Sequence, residues 1–172
     1  MRELRFSPFS GLVWRYTPVA QTPLDTQLSF MYGGRFNPKV LFGMLYTSTS
    51  LQGAKAEFMK AARLTGQTPE LLLPQMLHQI DVNLQSVADL TDKRNLKFFG
   101  YALEELLGDD WTPTQKIGTQ LHNICDAILS YSAADPKHKN LNLYIVNPAA
   151  VSVVASTTIR TMPDWDRIKP AR

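Results

Sequence analysis

The longest regular pattern in the chain is an alternation of side-chain character between Met76 and Leu84. One side of this segment carries Met76, His78, Ile80, Val82 and Leu84, and the other carries Leu77, Gln79, Asp81 and Asn83. Because side chains on a β-strand point alternately to opposite faces, the pattern predicts a strand with one face in the core. A lone histidine on such a face is typically a hydrogen-bonded core residue, so we expect no functional role for His78.

A second regular pattern, with a helical period, lies between Leu51 and Leu64. Apolar residues recur there at helical spacing, and Thr49 or Ser50 can cap the first turn. Shorter β-prone runs predict strands at 12–16, 28–32, 45–48, 140–146 and 151–159. Further helices are predicted over 96–107 and from Thr112, as N-cap, toward Ile128. Strands mixed with helices predict an α/β (α+β) fold.

Length and charge limit the function classes. The 172 residues, 44% of them apolar, predict one domain over 1–172, with a core at about 12–160 and a tail at 161–172. A net charge of +3 and a pI near 9.0 suit an anionic ligand. Because Lys and Arg are scattered, direct nucleic-acid binding is disfavoured.

The single cysteine, Cys125, excludes an internal disulfide and is expected to be a buried structural thiol. The sequence from Met1 to Arg5 has no signal-peptide character, and no run is long and apolar enough to span a membrane. These features predict a cytoplasmic protein. With one cysteine and three histidines, a metal-ligand cluster is poorly supported.

Three motifs that carry polar side chains follow one another near the N-terminus. Gly33 to Pro38 is a stiff turn that presents Arg35, the strand 45–48 carries Tyr46, and the next helix carries Glu57. These three side chains are eleven residues apart each time. Taken alone, Glu57 is more typical of a solvated helix glutamate, and a Gly-Gly pair of a hairpin turn. The order and spacing of all three motifs is far more specific.

This arrangement resembles the RES domain, which is named for the arginine, glutamate and serine that its members share. The family runs roughly Gly-Gly-Arg-aromatic-Asn-Pro, Ala-Leu-Tyr-x-Ser and then a helix with Ala-Glu. The equivalents here are Gly33–Pro38, Met44–Ser48 and Ala56-Glu57. The resemblance extends from about Trp14 to Pro148. It implies strongly bent mixed sheets, split into two small sheets around an NAD cleft, with helices outside.

The resemblance also implies the site residues. The catalytic candidates are Arg35, Tyr46, Glu57 and Ser132, and the cofactor-binding candidates are Arg15, Tyr16, Gly34, Arg35, Tyr46 and Ser132. The sequence departs from the family near Ser132, where Ser130-Tyr131 replaces the usual Tyr-Pro and Ala134 replaces a frequent arginine. From the residues alone, Arg15 is more typical of an exposed strand residue, and a turn hydroxyl is a strong alternative for Ser132.

The family's chemistry is cleavage of the nicotinamide–ribose bond of NAD, which requires no metal. An arginine would hold the pyrophosphate, Tyr46 would face the nicotinamide, and Glu57 would stabilise the cationic ribose. The sequence leaves the acceptor open: water gives hydrolysis, phosphate gives phosphorolysis, and a protein side chain gives ADP-ribosylation. A non-catalytic module that binds an anion in the Gly-Gly-Arg loop remains the alternative of another class.

Members of this family are toxins of bacterial toxin–antitoxin pairs. The resemblance therefore implies an Xre-type antitoxin as partner, with nucleic acid contacted only through that antitoxin. The tail at 161–172, with Trp165, is expected to pack either on the body of the protein or on a partner. An exposed Trp165 tail and the Thr17–Pro23 loop are candidate docking surfaces. The sequence leaves open the stoichiometry and whether the chain forms a homo-oligomer.

Overall fold

Six strands run through the part of the chain that the computed structural model describes, residues 3–144 and 149–171. The strands are β1 (Phe6–Pro18), β2 (Leu45–Ser48), β3 (Gln75–Asp89), β4 (Ala127–Tyr131), β5 (Lys139–Leu143) and β6 (Val151–Ile159). They hydrogen-bond in the order β1-β2-β5-β4-β3-β6. Strand β4 is parallel to β3 and the other pairings are antiparallel, so the sheet is mixed.

The long strand β1 closes this sheet on itself. It runs antiparallel to β3 along its length, while Trp14 also pairs with Ser48 of β2. Strands β1, β2, β5, β4 and β3 therefore form a closed circuit, and β6 pairs with residues 75–82 of β3 on the edge opposite β1. The α/β prediction is confirmed. The prediction of two separate small sheets is wrong, because β1 is long enough to pair with both β2 and β3.

Helices flank the sheet. They are α1 (Gln27–Tyr32), α2 (Leu51–Leu64), α3 (Lys93–Phe99), α4 (Leu103–Leu107) and α5 (Thr112–Leu121), with short 3-10 helices at Pro69–Leu72 and Met162–Arg167. Helix α2 has the predicted bounds, and the Ser50 hydroxyl accepts from the Gly53 amide at its first turn. This cap satisfies a backbone N–H that has no partner within the helix.

Three predicted elements are corrected by the structure. The segment 28–32 is part of helix α1 rather than a strand, and its turns are closed by amides that donate to Thr26 and Ser29 carbonyls. The predicted helix 96–107 is split into α3 and α4 at Gly100, which has a positive φ. Helix α5 ends at Leu121, well before Ile128, which lies in β4, and its N-cap is Trp111 rather than Thr112.

Other predicted strands differ mainly in length. Residues 12–16 belong to the longer β1, and 76–84 to the longer β3. Within the predicted strand 140–146, β5 ends at Leu143, and Ile145 and Val146 lie outside the described residues. His78 is buried and hydrogen-bonded to Thr17 and Ser156, which agrees with a core role.

Buried apolar side chains form the core on both sides of the sheet. One cluster takes a residue from every strand, namely Val13, Leu45, Ile80, Ala127, Leu141 and Val151. A second packs α5 against the sheet through Ile117, Leu121 and Ile128, and it includes Cys125. The Cys125 thiol is buried and free, and burial raises its pKa to about 11, so it is a structural thiol as predicted.

The C-terminal tail packs on the body of the protein. Trp165 is 1% exposed and its ring lies 5.6 Å from that of Phe58 on α2. Further along, the Gln79 side chain hydrogen-bonds the backbone of Lys169 and Ala171. The prediction that an exposed Trp165 forms a docking surface is therefore wrong, because burial of this large ring is strongly favourable.

Candidate functional site

A cleft of about 490 Å³ opens between helix α2, the Gly33-Gly34 turn and strands β1, β2, β4 and β5. Its volume is in the range of sites for small molecules and cofactors. Six residues predicted from the sequence line it, and they are Arg15, Tyr16, Gly34, Arg35, Tyr46 and Glu57. The seventh, Ser132, is 0% exposed and lies behind Glu57, to which it is hydrogen-bonded. The fold thus brings all seven residues together.

Glu57 is oriented by the turn after β4 and by strand β5, both of which are distant from it in sequence. Its Oε1 accepts a hydrogen bond of 2.7 Å from the Ser132 hydroxyl and one of 2.6 Å from Asn140 Nδ2. Asn140 is itself fixed, because its Oδ1 accepts from the Ser48 hydroxyl. The hydrogen bonds of Glu57 within the described residues use Oε1 alone. The carboxylate is therefore held in one orientation with Oε2 left for a ligand.

Ser132 sits in a tight turn directly after β4. Its hydroxyl accepts from the backbone amides of Ala134 and Asp135 while it donates to Glu57. Its own amide donates to the carbonyl of His138 across the turn. The sequence departs from the family pattern at Ser130-Tyr131 and at Ala134, yet this turn still delivers the hydroxyl to Glu57. Because the hydroxyl is buried and occupied, its role in this geometry is to orient the carboxylate.

The Gly33-Gly34 turn is built around Tyr46. The Tyr46 hydroxyl donates to Asn37 Oδ1 at 2.7 Å and accepts from the Phe36 amide at 2.9 Å. A Cβ on Gly34 would collide with the Tyr46 ring, which explains a glycine at this position. Burial raises the pKa of the Tyr46 hydroxyl. Tyr46 therefore braces the turn with its hydroxyl and presents only its ring to the cleft.

Arg35 is held at the C-terminal end of helix α4. Its Nη1 donates to the carbonyls of Leu106 and Gly108 at 2.9 and 2.8 Å, and its guanidinium lies 5.7 Å from the ring centre of Trp111. These carbonyls have no partner within the helix and carry its negative dipole end, so a cation is favoured there. Burial lowers the pKa of Arg35, and Glu57 opposes that shift.

Arg15 and Tyr16 form the floor of the cleft on β1. Arg15 Nη2 donates to the carbonyl of Asp25 at 2.7 Å, whereas its Nε is buried without a hydrogen-bond partner. Burial lowers the pKa of Arg15 to about 10. Burial, together with nearby Glu57, raises the pKa of Tyr16, whose ring packs edge-on against Phe58. A buried donor without a partner is costly, so Arg15 favours an acceptor in the cleft.

The charges of the cleft are unbalanced. Among the described residues, its lining includes three cations, Arg15, Arg35 and Lys60, and one carboxylate, Glu57. None of the ion pairs found in residues 3–144 and 149–171 involves any of these four groups. Cations that lie in a concave site without carboxylate partners attract an anionic ligand. This arrangement suits a molecule that carries phosphate groups.

Three residues of this site were not predicted from the sequence. Asn140 orients Glu57, Trp111 stacks on Arg35, and Lys60 lines the cleft one helical turn beyond Glu57. The Asn-Leu-Asn-Leu alternation at 140–143 did place Asn140 and Asn142 on one face of a strand. A pair of amides on the face opposite the core leucines Leu141 and Leu143 was the available signal. No sequence pattern around Trp111 or Arg35 indicated that these two side chains are in contact.

Neither a metal-ligand cluster nor a membrane-spanning helix is seen in the described part of the chain. No group of three or more His, Cys, Asp or Glu residues there is placed to hold a metal ion. No helix within residues 3–144 and 149–171 has the length and apolar character needed to cross a bilayer.

Comparison with known proteins identifies relatives of this chain. A family model, the RES domain, matches residues 12–166. The NAD(+) phosphorylase MbcT of Mycobacterium tuberculosis is 33% identical over 112 residues, which are 64% of this chain and 60% of that protein. The probable NAD(+) phosphorylase Rv3189 of the same organism is 33% identical over 135 residues, which are 78% of this chain and 65% of that protein. The matched regions thus span somewhat less than two thirds of these relatives.

A solved structure shares the fold. The toxin–antitoxin complex of MbcT and MbcA from Mycobacterium tuberculosis contains a chain that superposes with a TM-score of 0.85 at 25% identity. The superposition covers 94% of this chain and 90% of the other. The similarity therefore extends over nearly the whole of this chain.

Proposed function

The chain belongs to the RES domain family, whose model covers residues 12–166, and on that basis we propose that its cleft binds NAD and breaks the nicotinamide–ribose bond. The observation that carries this proposal is the oriented carboxylate of Glu57 among three cations without carboxylate partners. Two of these cations can neutralise a pyrophosphate. The carboxylate can stabilise the positive charge that develops on the ribose.

Each cleft residue that was predicted from the sequence has a role in this proposal. Arg15 and Arg35 hold the pyrophosphate, since planar guanidinium groups pair well with phosphate oxygens. The Tyr46 ring offers a flat apolar surface to the nicotinamide. Glu57 uses Oε2 on the ribose while Ser132 and Asn140 hold Oε1. Tyr16 and Gly34 complete the lining.

Phosphate is the acceptor that we propose. The names of the relatives MbcT and Rv3189 support this choice, because both are NAD(+) phosphorylases, the second one probable. In the reaction a phosphate oxygen bonds to the anomeric carbon, the bond to the nicotinamide nitrogen breaks, and its electron pair leaves with neutral nicotinamide. The products are ADP-ribose 1″-phosphate and nicotinamide.

An NAD-consumption assay tests the activity. The purified chain is incubated with NAD, with and without phosphate, beside Glu57→Ala and the surface control Glu70→Ala. We expect nicotinamide and ADP-ribose 1″-phosphate from the wild type and the control, and at least about a 1,000-fold slower reaction for Glu57→Ala. Free ADP-ribose would instead identify water as acceptor, and a labelled protein would identify ADP-ribosylation. NAD that stays intact with the free wild type would contradict the proposal and favour a non-catalytic binding module.

A toxin role in the cytoplasm is part of the same proposal. An enzyme that consumes a central cofactor must be restrained in its host, and a complex with an Xre-type antitoxin would do this by covering the cleft. The toxin–antitoxin complex of the structural relative supports this partner. Induced expression of the chain is expected to arrest growth and lower cellular NAD, and expression of the antitoxin is expected to reverse both. Growth arrest without loss of NAD would contradict the link between toxicity and the cleft.

A further inference from the structure

Lys60 is the cleft cation that the proposed NAD site does not use. It lies on α2 three residues beyond Glu57, a spacing that brings two side chains to the same face of a helix. Its Nζ donates to the carbonyl of Ala133 at 3.1 Å. Ala133 directly follows Ser132, whose hydroxyl holds Glu57. The ammonium and the carboxylate are therefore anchored on neighbouring residues of one turn.

The partners of Lys60 leave its charge unbalanced. The ion pairs found within residues 3–144 and 149–171 do not include Lys60, so no carboxylate of those residues lies within 4.0 Å of its nitrogen. An ammonium has three donors, and one of them is used on Ala133. Lys55, on the same helix, shows the usual surface arrangement, because it pairs with Asp166 at 2.7 Å. Lys60 is thus a partly buried cation with free donor capacity in a ligand cleft.

The proposed reaction creates a need for such a cation. The acceptor must reach the anomeric carbon of the ribose. Glu57 lies next to that carbon, because its negative charge stabilises the positive charge that develops there. A phosphate that approaches a carboxylate is repelled, and the repulsion is strong in a partly desolvated cleft. A positive group placed between the two anions removes this barrier. Lys60 lies three residues beyond Glu57, on the same face of α2 and in the lining of the cleft.

The two arginines are less suited to this task. Arg15 is fixed on the Asp25 carbonyl and Arg35 on the carbonyls of Leu106 and Gly108. Their planar donors suit an extended pyrophosphate. A lysine is a compact point charge on a flexible stem, which suits a small tetrahedral anion that must enter and leave with each turnover.

We propose that Lys60 forms the acceptor subsite of the cleft and binds inorganic phosphate beside Glu57. This inference rests on the proposed function and adds the group that selects phosphate over water. It predicts that the charge of Lys60 controls the affinity for phosphate, while its hydrogen bond to Ala133 serves only to place the side chain. It also predicts that loss of the charge shifts the products from ADP-ribose 1″-phosphate toward ADP-ribose.

The test separates charge from hydrogen bonding with three variants. Lys60→Gln keeps a donor for the Ala133 carbonyl without the charge, Lys60→Arg keeps the charge, and Lys55→Gln is the matched control on the same helix. For Lys60→Gln we expect the KM for phosphate to rise at least about tenfold, with a change of about twofold or less in the KM for NAD. Lys60→Arg is expected to restore most of the phosphate affinity, and Lys55→Gln to behave as wild type.

Several results would overturn the subsite. One is an unchanged KM for phosphate in Lys60→Gln. Another is an equal rise in the KM values for phosphate and for NAD, because that would indicate that Lys60 has only a structural role. Titration of inorganic phosphate into the NAD-free protein gives a readout that does not depend on turnover, and Lys60→Gln is expected to bind phosphate more weakly than the wild type. If the wild type consumes no NAD, the proposed function fails. If it consumes NAD while the wild type and Lys60→Gln bind phosphate equally, only the subsite fails.

Discussion

The cleft has an acidic wall, where α2 presents Glu57, and a loop wall, where the Gly33-Gly34 turn presents Arg35 and packs on Tyr46. On the acidic wall, Ser132 from the turn after β4 and Asn140 from β5 hold one carboxylate oxygen and leave the other for a ligand. On the loop wall, the Tyr46 hydroxyl is occupied by Asn37 and Phe36. The hydrogen bonds of the acidic wall thus orient a reactive carboxylate, whereas those of Tyr46 on the loop wall fix the conformation of the turn.

This difference predicts that equally small changes on the two walls have opposite consequences. On the acidic wall, the reactive charge can be removed while the hydrogen bonds remain. On the loop wall, removal of one hydroxyl leaves two buried polar groups without a partner. Activity and stability measured on the same variants therefore test the comparison.

The largest effect on turnover is expected for Glu57→Gln. The glutamine has the same shape, and its carbonyl oxygen can accept from Ser132 and Asn140, but it carries no charge to stabilise the ribosyl cation. We expect kcat to fall about 1,000-fold, with a change of less than about 1 kcal/mol in the free energy of unfolding. Steady-state kinetics and urea denaturation measure the two quantities, and Glu70→Gln is the surface control. A large loss of stability would show that Glu57 serves the fold as well.

An intermediate effect is expected for Arg35→Lys. A lysine can donate to Leu106 or Gly108, but it lacks the planar fork for a pyrophosphate and the flat face that lies against Trp111. We expect kcat/KM for NAD to fall about 30-fold, mainly through KM. The exposed Arg63→Lys on α2 controls for the change of residue type. If the whole fall in kcat/KM arises from kcat while KM is unchanged, Arg35 acts in the chemical step rather than in binding.

The smallest effect on turnover is expected for Tyr46→Phe, which keeps the ring. The buried Asn37 Oδ1 and Phe36 amide lose their partner, so we expect the free energy of unfolding to fall by about 1–3 kcal/mol. NAD turnover should fall less than about tenfold below the unfolding transition. Tyr32→Phe is the control, because Tyr32 is 73% exposed. If turnover falls as far as in Glu57→Gln, the Tyr46 hydroxyl acts in the reaction and the two walls are not different in kind.

Local patterns predicted the elements that carry the site. Strand β2, helix α2 and strand β6 have the predicted bounds. Helix α2 begins at a clear signal, the Ser50 cap, and its apolar residues repeat at helical spacing. The two strands were predicted from their β-prone composition. Helix α1 is six residues long and too short to reveal a period, so its β-prone composition was misleading. Its geometry is decided by contacts with the 42–44 segment, where the Ser29 hydroxyl bonds the Met44 backbone.

The amino-acid sequence by itself determined which side chains are available and the order in which Arg35, Tyr46 and Glu57 follow one another. It did not determine their partners. Ser132 and Asn140 reach Glu57 from 75 and 83 residues away, and they do so because β4 and β5 are threaded between β2 and β3. Periodicity reports only which face of an element is buried. Which elements then share a face follows from the burial of apolar surface over the whole chain, and that is decided only in the folded structure.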